Sequence, residues 1–345
     1  MIVFRTDANS NIGFGHLTRC RVLARALTKS KVPCVLVGPN KNVLTHDDFK
    51  VFISTYDKEW TNPEEDVAFV KHIVDKYSAK GVVLDDYRIT ESYQSTLRKN
   101  NIKFLKFEAK TDANLFADLI INTNPAVTES SYIGYRYNQD VQFLLGSSYS
   151  LLRQQFSDLS PREPITKVKN ILITFGGGND RGAILFCLSA LLKSADPSTQ
   201  IVIMSGQGNP NNLLITEWIK KEGDNRVQLK INPENVLEIF LQSDIAIMAG
   251  GTSTYEAACT GLPMFIITIA DNQLEQAKAW DSLGTAKFIG AFEDISKQEL
   301  ISSFSKLSNH IELIQNMSSI GKSLVDGYGA YRVANTIIQR FIKSE

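Results

Sequence analysis

The sequence is short of several features that would settle its class at once. Its 345 residues include only 4 cysteines, Cys20, Cys34, Cys187 and Cys259, with no Cys-x-x-Cys pair and each set in an apolar pattern. That usage suits reduced core thiols and argues against a disulfide framework. Histidine is as scarce: of 4, His46, His72 and His310 have no His-x-x-x-His or Glu-x-x-His companion, so no bound metal is expected. No apolar run approaches the ~20 residues needed to cross a bilayer, and Met1 leads straight into a strand-like segment instead of a basic, then apolar, leader. No membrane span and a cytoplasmic location are expected. An excess of one charge is missing too: Lys+Arg and Asp+Glu each number 37. No global field draws the chain to nucleic acid or to an anionic membrane, so no nucleic-acid partner is expected and local groups must hold any anionic ligand.

What is present is alternation. Short apolar runs and amphipathic segments follow one another almost throughout, as parallel strands and their covering helices do. In the first half the strands read as "MIVFR", "PCVLVG", "VFIST", "GVVLDD", "IKFLKF", "DLIIN" and "VQFLLG". Residues 153–170 carry two prolines, mixed charge and little periodicity, the marks of a linker. The pattern restarts with "NILITFGGG", "QIVIMSG", "RVQLKI", "DIAIMAGG" and "PMFIIT". Between these, "NPENVLEIFLQ" reads as a helix with Asn232 as its cap and Pro233 in first position. The organisation expected is a domain over 1–155, a linker over 156–168, a second domain over 169–327 and a closing amphipathic helix over 328–345. The fold class is α/β: two doubly wound, Rossmann-like domains with an interdomain cleft. Ligands of such sheets bind beyond the carboxyl ends of the strands, so strand-to-helix loops are where function is sought.

Four such loops carry usable chemistry. In "NIGFGHLTRC" (11–20) Gly13 and Gly15 permit close approach of a ligand, and Leu17, Cys20, Leu23, Ala24 and Leu27 recur at helical spacing, which puts His16 in a helix's first turn. The helix terminus and Arg19 would keep His16 uncharged and able to take a proton, while the plainer reading is a glycine corner with a half-buried histidine. In "AGGTSTYEAACTGLP" (249–263) the amides and hydroxyls of Gly251, Thr252, Ser253 and Thr254 converge where a diphosphate could rest, and Glu256 could accept both hydroxyls of a ribose. The competing reading is a Ser253–Glu256 capping box. "TFGGGNDRG" (174–182), with Gly176 and Gly177, is a second glycine-rich strand end or simply a flexible turn. "LDDYRIT" (84–90) offers Asp85, Asp86 and Tyr87 as a base or metal ligands, or as an ordinary aspartate cap.

Taken together, "RTDANSNIGFGHLTRC", "VVLDDYRIT", "ADLIINTNPAV", "FLLGSSYSLLRQQF", "ILITFGGGND" and "AGGTSTYEAACTGLPMFIIT…DNQ" resemble the nucleotide-sugar hydrolases of pseudaminic acid biosynthesis and their spore-coat-polysaccharide relatives. The resemblance spans nearly the whole chain. It implies a GT-B fold and a metal-independent, cofactor-free, inverting hydrolysis of a UDP-linked 2,4-diacetamido-2,4,6-trideoxy sugar. By the same resemblance His16 is the base, Tyr87 contacts the sugar, Gly251 to Thr254 the diphosphate, and Glu256 the ribose. Asn272 and Gln273 meet the ligand from the next loop, and Gly13, Gly15, Arg19, Asn124, Gly176 and Gly177 complete the substrate-binding set. The expected partners are the UDP-sugar itself and other enzymes of the same sugar pathway. Where the family carries an acidic pair at a late strand end of the first domain, this chain has "KFEAKTD", which leaves Glu108 as the substitute.

Two other functions remain in view. A GT-B glycosyltransferase using a UDP-sugar donor would turn His16 on an acceptor hydroxyl instead of water. A non-catalytic nucleotide-sugar-binding subunit would keep the glycine loop and Glu256 but have no use for His16. The basic run "LTRCRVLARALTKSK" reads as the solvated face of an amphipathic helix. A dinucleotide oxidoreductase is set aside, because Gly13-Phe14-Gly15 lacks the third fingerprint glycine and no acid ends "PCVLVGPN".

Overall fold

The structure is a computed structural model and describes residues 1–8, 14–108, 114–132, 134–160, 162–222 and 224–343. The chain forms two compact units, Met1–Gln154 with Gly327–Glu345, and Gln155–Asp326.

The first unit runs β1 (Ile2–Thr6), α1 (Gly15–Lys29), β2 (Cys34–Gly38), α2 (Asp48–Val51), β3 (Phe52–Asp57), α3 (Pro63–Tyr77), β4 (Gly81–Asp85), α4 (Glu91–Lys99), β5 (Phe104–Phe107), β6 (Leu119–Asn122) and β7 (Gln142–Leu145). All seven strands pair in parallel in the order β3-β2-β1-β4-β5-β6-β7. Alternation along β1 divides the core: Ile2 and Phe4 face α1, while Val3 faces the side covered by α3 and α4. Leu17, Cys20, Leu23, Ala24 and Leu27 of α1 are all buried, so truncating one of the leucines to alanine costs about 2–5 kcal/mol. β1 also buries Arg5, whose guanidinium meets both oxygens of Asp66, itself held by the Tyr93 hydroxyl.

The second unit runs β8 (Asn170–Thr174), α5 (Ala183–Ser194), β9 (Gln200–Ser205), α6 (Asn212–Glu222), β10 (Val227–Ile231), α7 (Val236–Gln242), β11 (Ile245–Met248), α8 (Ser253–Cys259), β12 (Met264–Thr268), α9 (Leu274–Ser282), β13 (Ala286–Ala291), α10 (Lys297–Ser308) and α11 (Ile311–Leu324). Its strands form a six-stranded sheet in the order β10-β9-β8-β11-β12-β13, again parallel throughout. The chain then returns to the first unit as α12 (Gly329–Ile337), packed on α1.

Three readings of the sequence change here. β13 is a strand the sequence did not announce. Helix α7 is capped by Asn235, whose side chain accepts from the Glu238 amide. Asn232 instead sits at positive φ and prolongs the sheet end by donating its N–H to the Ser205 carbonyl. Finally, the stretch 156–168 lies within the second unit: Phe156 is buried edge-on to Phe240, and Ile165 and Val168 join that unit's core. The Arg162 guanidinium is spent on the carbonyls of Phe240, Ser243 and Thr260.

Candidate active site

At the carboxyl end of the first sheet, α1 starts beside the ends of β1 and β4, which lie level with each other, Thr6 opposite Asp85. His16, in the helix's first turn, is therefore buried over that end. Its Nδ1 lies 2.5 Å from Asp85 Oδ1. Arg19, one turn further, donates Nε to Asp85 Oδ2 at 3.0 Å and Nη2 to Oδ1 at 2.6 Å, and its guanidinium rests over the Phe107 ring. Burial alone would raise the Asp85 carboxyl pKa, but the Arg19 charge and the hydrogen bonds from His16 and Arg19 outweigh it and hold the group below the usual carboxylate value. A carboxylate at Nδ1 takes the ring N–H there and leaves Nε2 with a lone pair for an incoming proton. Tyr87 packs edge-on to the imidazole, ring centres 4.6 Å apart, and is otherwise exposed. Arg19 thus lies beside His16, Nη2 3.0 Å from Nδ1, and is also a bidentate partner of the carboxylate that both residues share.

The adjacent acids part company. Asp86 turns to Arg88, which also grips Asp7 at the end of β1, and the guanidinium stacks over Trp60. Burial disfavours the Arg88 charge, yet the hydrogen bonds it donates to Asp86 and Asp7 raise its pKa. Asp7, Arg88 and Trp60 were not singled out in the sequence, because Asp7 and Arg88 meet only through the pairing of β1 with β4, and Trp60 comes from the connection between β3 and α3. Glu108 is buried in an ion pair with Lys106. Asn124 uses its side-chain oxygen on the Ala126 amide, an Asx turn. Gly13 lies outside the described residues; Gly15 opens α1, where an added Cβ would meet nothing within 4 Å.

In the second unit the turn after β11 is built tightly. Helix α8 begins at Ser253 with Thr252 as its cap and no side-chain bond at that cap, so Ser253 stands in the first helical position. Thr254 is fully buried, and its hydroxyl donates to the Gly251 carbonyl while accepting from Gln276 and from the Trp280 indole. Its amide also bonds to Gly251. Thr254 therefore shapes the turn, and the residues left at its mouth are Gly251, Thr252 and Ser253. A Cβ at Gly250 would come within 3.1 Å of Gln273, whereas one at Gly251 would meet nothing within 4 Å. Glu256 is half-buried on α8 and Asn272 is exposed in the loop after β12. The Gln273 side-chain oxygen accepts from the Ile269 amide. After β8, Gly176 has φ +90°, and an added Cβ at Gly177 would be unobstructed. Asp180 caps α5 through the Ile184 amide and takes a bond from Asn211.

Two doubly wound parallel sheets of this order define a GT-B fold. No family model matches the chain. It is similar to the spore coat polysaccharide biosynthesis protein SpsG of Bacillus subtilis, 25% identical over 352 residues that cover 98% of this chain and 98% of that protein. It is likewise 25% identical to the UDP-2,4-diacetamido-2,4,6-trideoxy-beta-L-altropyranose hydrolase of Campylobacter jejuni, over 81% of this chain and 95% of the relative. These are the two groups to which the sequence motifs pointed. Among solved structures, MurG of Acinetobacter baumannii superimposes with a TM-score of 0.71 over 98% of this chain and 99% of its own, at 15% identity. Among the described residues no helix is long and apolar enough to cross a membrane.

Proposed function

We propose that this protein is a nucleotide-sugar hydrolase that uses His16 as the general base. The observation that carries the reading is the His16–Asp85 contact, which commits Nδ1 to a buried carboxylate and leaves Nε2 to accept a proton from water. The water oxygen bonds to the anomeric carbon as the carbon–oxygen bond to the diphosphate breaks, with inversion. The water proton goes to Nε2, and the electron pair leaves with UDP. A nucleoside diphosphate is already a good leaving group, so donors that meet its developing charge suffice, and the reading calls for no metal or cofactor. Amides of the Gly251–Ser253 turn and the hydroxyls of Thr252 and Ser253 are assigned to the diphosphate, Glu256 to the ribose, and Tyr87 to the sugar. The glycine at 251 supports this assignment: neither positive φ nor a neighbouring protein atom requires it, while a ligand lying against the backbone would.

The finer assignment, a UDP-linked 2,4-diacetamido-2,4,6-trideoxy sugar serving pseudaminic acid or surface-polysaccharide synthesis, rests on the names of the two curated relatives. The test is a panel of UDP-sugars given to the purified protein with chelator and without acceptor, followed by NMR. Release of UDP with the inverted free sugar is expected. Turnover only when a sugar acceptor is added would assign the protein to glycosyl transfer instead.

A further inference from the structure

The Gly250–Ser253 turn is held from within by Thr254 and from α9 by one side chain that no motif in the sequence marks. Gln276 lies in α9, and its amide nitrogen sits 3.0 Å from the Gly250 carbonyl oxygen, 2.9 Å from that of Gly251 and 2.9 Å from Thr254 Oγ1. Its amide oxygen accepts from the Tyr255 hydroxyl at 3.0 Å, which fixes which end of the amide faces the carbonyls. Trp280, one turn along the same helix, donates to the same Thr254 hydroxyl. The Gly250 and Gly251 carbonyls are thus drawn to one donor group. In a trans peptide the N–H points opposite to the carbonyl of the preceding residue. The amides of Gly251 and Thr252 are therefore both aimed away from Gln276, and a side chain at Gly251 would meet open space.

We infer that Gln276 is a positioning residue for diphosphate recognition: it locks two successive peptide planes so that their N–H groups stand ready, side by side, for phosphate oxygens. Preorganised donors of this kind strengthen binding because their orientation is not paid for when the ligand arrives. The inference rests on the nucleotide-sugar reading above, but it is specific to the phosphates. Removing the Gln276 donors leaves the Gly251 carbonyl held by Thr254 alone and takes this bond from the Gly250 carbonyl, which loosens both planes at the turn assigned to the phosphates.

The experiment is calorimetry on the full-length protein with UDP and, separately, with uridine, for wild type, Gln276→Met and Gln276→Glu. Methionine keeps the length without the amide; glutamate keeps an acceptor for Tyr255 and removes both donors. Thermal melts establish which variants are folded, and either folded variant suffices. The expected result is a loss of about tenfold or more in UDP affinity, with uridine affinity changed less than twofold and KM for the nucleotide sugar raised more than kcat is lowered. A folded variant that binds UDP as wild type does, or that loses UDP and uridine affinity in parallel, overturns the inference while leaving the hydrolase reading standing. A wild-type protein that binds no UDP overturns both.

Discussion

His16 and Asp85 stand 69 positions apart in the chain and meet at 2.5 Å, imidazole Nδ1 to carboxylate Oδ1, both side chains buried. An acid that orients a base in this way does not touch the substrate, yet it sets the base's tautomer. Asp85→Asn should keep the shape and lose the function, because the amide can present an N–H to Nδ1 and move the ring proton to Nε2. We expect kcat to fall by a factor on the order of 10³–10⁴, with UDP affinity by calorimetry within twofold of wild type. An Asp85→Asn protein with more than a tenth of wild-type kcat would remove Asp85 from the mechanism.

The same carboxylate gives a pH signature in stability. Its folded-state pKa lies below the ordinary value because the Arg19 and His16 interactions outweigh its burial, so its contribution is complete above about pH 4 and is lost as pH falls from there through the lowered pKa. Asp48, held by Arg21 against the same penalty of burial, acts in the same sense. Urea unfolding between pH 2 and pH 6 should therefore show stability falling on the acid side. The slope should be shallower in Asp85→Asn, and identical slopes would contradict the assignment.

Gly250 and Gly251 should separate stability from binding. Gly250→Ala places a methyl 3.1 Å from Gln273 and should cost on the order of 1–3 kcal/mol of stability. Gly251→Ala meets nothing, so its stability should stay within about 1 kcal/mol of wild type, while UDP affinity falls about tenfold by calorimetry. Equal UDP affinity in Gly251→Ala would move the diphosphate elsewhere.

Arg88 holds Asp7 and Asp86 together. Arg88→Met leaves two nearly buried carboxylates without their cation, at a cost of about 3 kcal/mol at neutral pH. Urea denaturation at pH 7 checks it, and an Arg88→Met protein within about 0.5 kcal/mol of wild type would mean that the cation does not stabilise the pair.

Much of this architecture is legible in the chain, and the gaps have identifiable causes. The buried strands announce themselves because parallel strands covered on both faces are continuous apolar runs, as in "IVF", "CVLV" and "IAIM". β13 escaped because Lys287 and Gly290 interrupt its six residues and it lies at a sheet edge. His16 could be placed on its helix turn from local spacing alone. Its partner could not: Asp85 and Asp86 look equivalent in "LDDY", and only strand pleat, which turns successive side chains to opposite faces, sends one to His16 and the other to Arg88. Asn232 before Pro233 has the pattern of a helix cap, but the sheet end claims it and leaves Asn235 to cap α7. Gln276 reads as one more polar residue of an amphipathic helix, since its three acceptors are supplied by a turn more than twenty residues earlier.

The central claim, that Nε2 of His16 takes the proton of the attacking water, is tested most directly by single-turnover NMR of a UDP-sugar that the wild-type protein hydrolyses, using His16→Ala protein shown by melting and calorimetry to be folded and to bind UDP normally. The account predicts a rate lowered by about 10²–10⁴. Hydrolysis at close to the wild-type rate would contradict it.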